Sequence, residues 1–106
     1  MKIIENNIIP FKGFAAINIF GVLFVRKGVF VSERLIRHEM IHTKQIKELG
    51  YIFFYALYLL EWLLKLPFYG KQAYYAVSFE REAYRNQFDL HYLNNRRLFA
   101  FVKYIF

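Results

Sequence analysis

Cysteine is absent from the chain. Disulfides and thiolate metal ligands are therefore excluded, and any bound metal must be held by His, Asp or Glu. Two prolines and five glycines occur in 106 residues, with no Gly/Ser-rich linker, internal repeat or low-complexity block. Nothing divides the chain, and one domain is expected over residues 1–106. Acidic residues are also scarce: eight stand against fifteen Lys and Arg, for a net charge of +7. The start, Met1-Lys2-Ile3-Ile4-Glu5-Asn6-Asn7, lacks the long apolar run and small-residue cleavage site of a secretory signal. A cytoplasmic location is therefore expected, with membrane association open. Zinc-finger spacing and RNA-binding aromatic motifs are missing too, so no nucleic-acid partner is expected despite the basic charge.

Hydrophobic residues make up 58% of the chain and aromatics 22%, which excludes a disordered composition. The basic residues are scattered, as on a solvated surface. A basic surface rich in Tyr, Trp and Phe also suits peripheral contact with an anionic membrane.

The stretch His38-Glu39-Met40-Ile41-His42 reads His-Glu-x-x-His. On a helix, residues four apart share a face, so both imidazoles can reach one ion. Zinc takes imidazole nitrogen readily, and two such ligands fix half of a tetrahedral site. Glu39 stands beside them without needing to bind the metal, the place of the general base in zinc peptidases. Ordinary residue usage yields this pattern in roughly one chain per few hundred of this length, so its surroundings must decide. Ser32 is a suitable N-cap with Glu33 in the first turn, and Gly50 can end the helix. Leu35, His38, Ile41 (or His42), Gln45 and Leu49 fall on one stripe, so the motif faces the interior.

Residues 14–31 read as β. Phe14–Phe20 and Val22–Val25 are apolar and β-rich, Arg26-Lys27-Gly28 supplies a turn, and Val29–Val31 resumes the pattern. Pro10 and Gly13 keep the preceding segment irregular. Asn18 breaks the apolar run and marks an exposed face. Tyr51 to Leu66 is apolar nearly all round and is stopped by Pro67. Such a helix is central in a core or inserted in lipid. At about sixteen residues, with Glu61 inside, it is short of the roughly twenty expected of a span, and burial is expected. A third helix is expected over Lys71 to Leu93, bent near Ser78 and stopped by Asn94-Asn95. Arg96 to Phe106 is undecided between helix and strand. The expected fold is α+β: a small N-terminal antiparallel hairpin or sheet on about three helices, a minimal zincin-like domain.

A catalytic zinc needs a third protein ligand and an open position for water. Glu48 follows on the same helix and turns away. Glu61, Glu80, Glu82, Asp89 and His91 remain. Glu80 and Glu82 are two apart on a helix and point in different directions, so one of them at most can face the metal.

A His-Glu-x-x-His helix, an apolar helix, then a helix carrying Glu-x-x-Ala resembles the gluzincin class of zinc metallopeptidases. The motif order is similar to that of the CAAX-prenyl and heat-shock membrane peptidases and of the beta-lactam-sensor peptidases. The resemblance covers about residues 34–90. It implies Zn2+ as cofactor, His38, His42 and Glu80 as ligands with Glu82 the alternative, and Glu39 as catalytic base. Ala83 would be the small residue that lets two helices approach. Tyr84 replaces the family's aspartate, for which Glu82 or Asp89 would substitute. Gln45 and Tyr84, with Tyr74 and Tyr75, are candidate hydrogen-bond donors to a ligand or to the developing oxyanion. The implied function is peptide-bond hydrolysis of a peptide or protein substrate, held by addition to a strand edge. The competing readings are a catalytically inactive zinc-binding module and a membrane-associated interaction module.

Overall fold

The computed structural model describes residues 2–8 and 16–105. The expected irregularity at Pro10 and Gly13 and the start of the strand at Phe14 lie outside the described residues. Two strands, β2 (Ala16–Ile19) and β3 (Val22–Arg26), pair antiparallel in the register Ile17↔Phe24. Phe20 and Gly21 join them, with φ of 50° and 89°. Positive φ at both central residues gives a turn whose twist matches the flanking strands. Phe20 adopts this costly conformation while its ring packs edge-on against Tyr55 and its N–H donates to the Tyr55 hydroxyl. The hairpin turn is thus at Phe20–Gly21, and the turn expected at Arg26–Gly28 is also present, closed by the Val29 N–H donating to the Arg26 carbonyl at 3.2 Å. Val29–Val31 form no strand and lead into the first helix, with Phe30 exposed. A further strand, β1 (Lys2–Asn6), adds parallel to β3 and completes a mixed sheet of order β1-β3-β2. The fold is a small α+β domain, with a mixed sheet where an antiparallel one was expected.

Helix α1 spans Glu33–Glu48. Ser32 caps it as its sequence predicts, its hydroxyl accepting from the Leu35 N–H at 3.1 Å. Gly50, at φ 75°, ends the helix: the Tyr51 N–H donates to the Ile46 carbonyl and the Gly50 N–H to that of Lys47. This paired closure satisfies carbonyls that the last turn leaves free.

Helix α2 spans Ile52–Tyr69 and runs through Pro67. Its expected burial is overturned. Phe54 is its one buried residue, whereas Phe53, Leu64 and Phe68 are 68%, 63% and 84% exposed. The helix lies at the edge of the fold, and its neighbours reach one side of it. The region expected as a third helix is broken into α3 (Ala73–Ala76), α4 (Ser78–Asn86) and the single turn α5 (Tyr92–Asn95). The break falls at Val77, which is extended (ψ 132°). Glu61 of α2 explains it: its carboxylate accepts from both the N–H and the hydroxyl of Ser78. A carboxylate at a helix N-terminus satisfies free donors and complements the helix dipole. The carboxy-terminal segment closes with a 3-10 helix at Ala100–Tyr104. Its Phe101 joins Ile46, Phe54, Val77 and Phe79 in the main apolar cluster.

A polar junction ties this segment to α1 and α4. The Arg96 guanidinium pairs with Glu48 at 2.8 Å and with Glu82, and its side chain is 4% exposed. Burial pushes the Glu82 carboxyl up, but hydrogen bonds from Arg96, Gln45 and Tyr92 and the guanidinium charge outweigh it and hold it below its usual range. A depressed carboxyl stabilises the fold above its unfolded value, about 4.5, and that contribution is lost as pH falls through the folded value. Arg96→Leu leaves buried carboxylates unpaired and should cost roughly 3–5 kcal/mol at neutral pH. The penalty should shrink as pH falls through the folded Glu82 value. Urea unfolding of both proteins at neutral pH and at a pH below 4 checks this; a penalty that does not change with pH would count against the role given to Glu82.

Candidate metal centre

The helical period carries the two motif histidines inward. His38 and His42 are 6% and 5% exposed, one turn apart on α1. Glu80, in the first turn of α4, reaches them both. Its Oε1 stands 3.2 Å from His38 Nε2 and 3.1 Å from His42 Nε2, and the two Nε2 atoms are 3.2 Å apart. Glu80 is therefore the acid brought to the histidine pair. Among the described residues these three form the one His/Asp/Glu group whose ligand atoms all lie within 4.8 Å of one another.

The other nitrogen of each ring is held. His42 Nδ1 faces Gln45 Oε1 at 2.7 Å. The Gln45 amide is oriented by its own bonds, since Nε2 donates to the Phe79 carbonyl and to Glu82 Oε1. Gln45 must therefore accept from His42, which places a proton on Nδ1 and makes Nε2 the nitrogen that offers a lone pair once the ring is neutral. His38 Nδ1 faces Gln87 Oε1 at 2.9 Å in the same sense. The second Glu80 oxygen accepts from the Tyr58 hydroxyl at 2.8 Å. Three lone-pair donors thus converge on one point.

A proton can bridge one edge of such a triangle, whereas a cation at its centre satisfies every edge. Donors about 2.0–2.1 Å from one tetrahedral ion stand roughly 3.3 Å apart, close to the three separations seen. The donor set therefore fits a metal ion.

Glu39 follows His38 and is buried beside the group. Burial pushes its carboxyl up and the Glu80 carboxylate adds to this, against the pull of His42, His38 and Asn18. Its Oε2 is the one buried side-chain polar atom without a hydrogen-bond partner among the described residues. An unpartnered buried oxygen is costly and demands an explanation. Glu39 also lines a cavity of about 390 Å³. Glu39, His42 and Glu80 form the polar end, and Ile17, Phe54 and Tyr55 line the apolar wall.

The remaining sequence candidates separate clearly. Glu82 points away from the histidines to Arg96, and touches the site through Gln45 alone. Glu48 also pairs with Arg96, and Glu61 caps α4. Asp89 and His91 are exposed. Gln45 orients His42 directly. The Tyr84 ring lies against that of His38, with centroids 4.5 Å apart. Tyr74 lines the cavity, whereas Tyr75 is exposed and packs on Tyr74 and Tyr84. Ala83 is fully buried.

Asn18 corrects an expectation. It is buried, and its amide donates to the Glu39 carbonyl and to the Thr43 hydroxyl, both at 2.9 Å. It binds β2 to the motif helix, and that is why a polar residue interrupts the apolar run. Gln87 and Tyr58 also belong to the site, and no local signal in the sequence marked them. Comparison with protein-family models, curated proteins and solved structures finds no match.

The electrostatics give a pH test. Burial opposes charge on His42, but the Glu80 carboxylate, its hydrogen bond and Glu39 outweigh it, and the imidazole is pushed up to about 9. A divalent cation must displace that proton. Apparent affinity should therefore rise with pH, by roughly tenfold per unit for one displaced proton, and level off near 9. Competition with a chromophoric chelator across that range measures the slope; a flat profile would remove His42 from the ligand set. Gln45→Leu should lower the affinity by about 10- to 100-fold, as loss of a ligand's hydrogen-bond partner does elsewhere.

Proposed function

We propose that the chain is a zinc-dependent metallopeptidase of gluzincin type, with His38, His42 and Glu80 holding the ion and Glu39 acting as general base. The observation that carries this reading is Glu39, which lines a cavity together with His42 and Glu80 and whose Oε2 is buried without a hydrogen-bond partner. An all-nitrogen and oxygen donor set of two imidazoles and one carboxylate suits zinc and leaves a fourth position open. The ion would supply Lewis acidity, acidifying an attacking water and polarising the scissile carbonyl.

The remaining steps belong to side chains of this chain. Glu39 Oε2 takes the proton of the attacking water and hands it to the departing amine, so that one carboxyl serves as base and then as acid. Its burial favours the protonated form that the second step needs. Burial and the Glu80 carboxylate push the Tyr74 hydroxyl up, so it stays protonated. It lines the cavity and would be a donor to a developing oxyanion. Gln45 and Gln87 hold the two imidazoles in one tautomer, and Tyr58 holds Glu80 in one rotamer. The apolar wall of Ile17, Phe54 and Tyr55 selects peptides with a bulky apolar side chain beside the cleaved bond.

The test separates metal binding from catalysis. Glu39→Gln should retain one zinc per chain and lose about 100-fold or more of the turnover of an apolar-residue peptide library, the usual worth of a positioned acid–base group. His38→Ala should lose the zinc itself. Unchanged hydrolysis by the Glu39 variant would reject the catalytic role. A zinc-loaded wild type with no turnover would leave a metal-binding module without peptidase activity.

A further inference from the structure

Helix α2 is built inside out for a water-soluble domain. It has two charged residues, Glu61 and Lys65, and both turn inward. Glu61 caps Ser78 and pairs with Lys65 at 2.7 Å, while Lys65 also donates to the Ala76 and Ile105 carbonyls. Phe54, Tyr55 and Tyr58 complete the inward stripe. The opposite and wider face presents Phe53, Leu60, Leu63 and Leu64 to the outside, and Trp62 at the margin of the inward stripe and Phe68 at the helix end are exposed as well. The patch continues at its ends into exposed Phe20, Tyr51 and Tyr69. Exposed lysines flank it: Lys47 shortly before the helix and Lys71 just after it.

We propose that this outer face of α2 docks on an anionic lipid surface, with the helix lying in the plane of the interface. Eighteen residues make a helix about 27 Å long, and the stretch it opens, Ile52–Asn86, is long and apolar enough to be a candidate membrane span. Exposed Glu33, Arg34 and Lys44 on α1 and Arg85 on α4 oppose crossing, because those elements pack against α2 and would enter the hydrocarbon with it. An apolar face under a domain with a charged far side is the pattern of an interfacial helix. The net charge of +7 selects among occupants. It repels a second copy of the chain and attracts anionic headgroups. The inward side of α2 also supplies Phe54, Tyr55 and Tyr58 to the cavity. The metal centre would then stand roughly one helix diameter, about 10 Å, from the lipid.

Trp62 is the chain's single tryptophan and is partly exposed at the margin of the proposed face, so it reports docking in the unmodified protein. Vesicles of phosphatidylcholine and phosphatidylglycerol in equal parts should sediment the full chain at low salt. Trp62 emission should shift to the blue and be quenched by brominated acyl chains. Leu60→Glu with Leu64→Glu, both exposed positions, should lower the partition coefficient about tenfold or more, while Leu98→Glu, an exposed position outside the helix, leaves it unchanged. High salt should weaken the partition severalfold. A chain that stays in the supernatant with an unmoved Trp62 spectrum overturns the proposal, whatever the folding of the variants. So does a dimer in ultracentrifugation whose Trp62 is already blue-shifted without lipid and which ignores vesicles, since a second copy then covers the face. Equal partition on pure phosphatidylcholine overturns the choice of an anionic surface. None of these readouts depends on zinc or on hydrolysis, so the outcome is independent of the peptidase reading.

Discussion

Three lone pairs aimed at one buried point are the constraint on which the rest of the structure turns. His38 Nε2, His42 Nε2 and Glu80 Oε1 stand 3.1–3.2 Å apart, and all three residues are buried. Without a cation a proton on His42 can bridge its edge to Glu80, but the other edges still bring desolvated acceptors together. The chain nevertheless spends a second set of polar residues, Gln45, Gln87 and Tyr58, on holding that arrangement. Each of these three bonds occupies the far side of a ligand group, leaving the near side free. A fold that only needed to neutralise two histidines would let the rings turn towards other partners.

The same logic extends outward in layers. Glu82 orients Gln45, and Arg96 neutralises Glu82 while fastening Glu48 at the end of the motif helix. The carboxy-terminal segment is thereby coupled to His42 through Arg96, Glu82 and Gln45. Glu61 fixes the start of α4 by capping Ser78, and so sets where Glu80 falls along the helix. In a chain of 106 residues the apolar core is limited. Here buried ion pairs and caps between elements determine the position of His38, His42 and Glu80, and the apolar cluster around Phe79 supplies the packing beneath them. Replacing such pairs by apolar residues need not weaken a fold, but it does remove the geometric specificity they provide here.

Sequence was most informative where the physics is local. The Ser32 cap, the Gly50 closure and the inward turn of His38 and His42 follow from residues within one or two helical turns, and the structure has each of them. Where the partner lies far along the chain, local pattern was silent or misleading. Strand β1 pairs with β3, twenty positions on. Glu80 and Glu82 are distinguished by Arg96, which no helical period could foresee. Asn18 looked like a surface marker because its partners, Glu39 and Thr43, come from another element. Helix α2 carried the least directional information of all. A segment apolar all round has almost no preferred face, so its composition could not say which side the protein would cover.

That ambiguity resolves in an unusual direction, and it joins the surface to the site. The charged pair Glu61–Lys65 faces the fold because α4 needs a capping carboxylate and the chain end needs a donor for its carbonyls. Once those demands orient the helix, its remaining arc can only be apolar and outward. The aromatic residues on the inward stripe are then committed twice, to the wall of the cavity and to the packing around Phe79. Rotating α2 to hide its outer face would expose Glu61 and strip the cap from Ser78. It would also move Tyr58 from Glu80, so the exposed face and the geometry of the candidate metal ligands are not separable features of this fold.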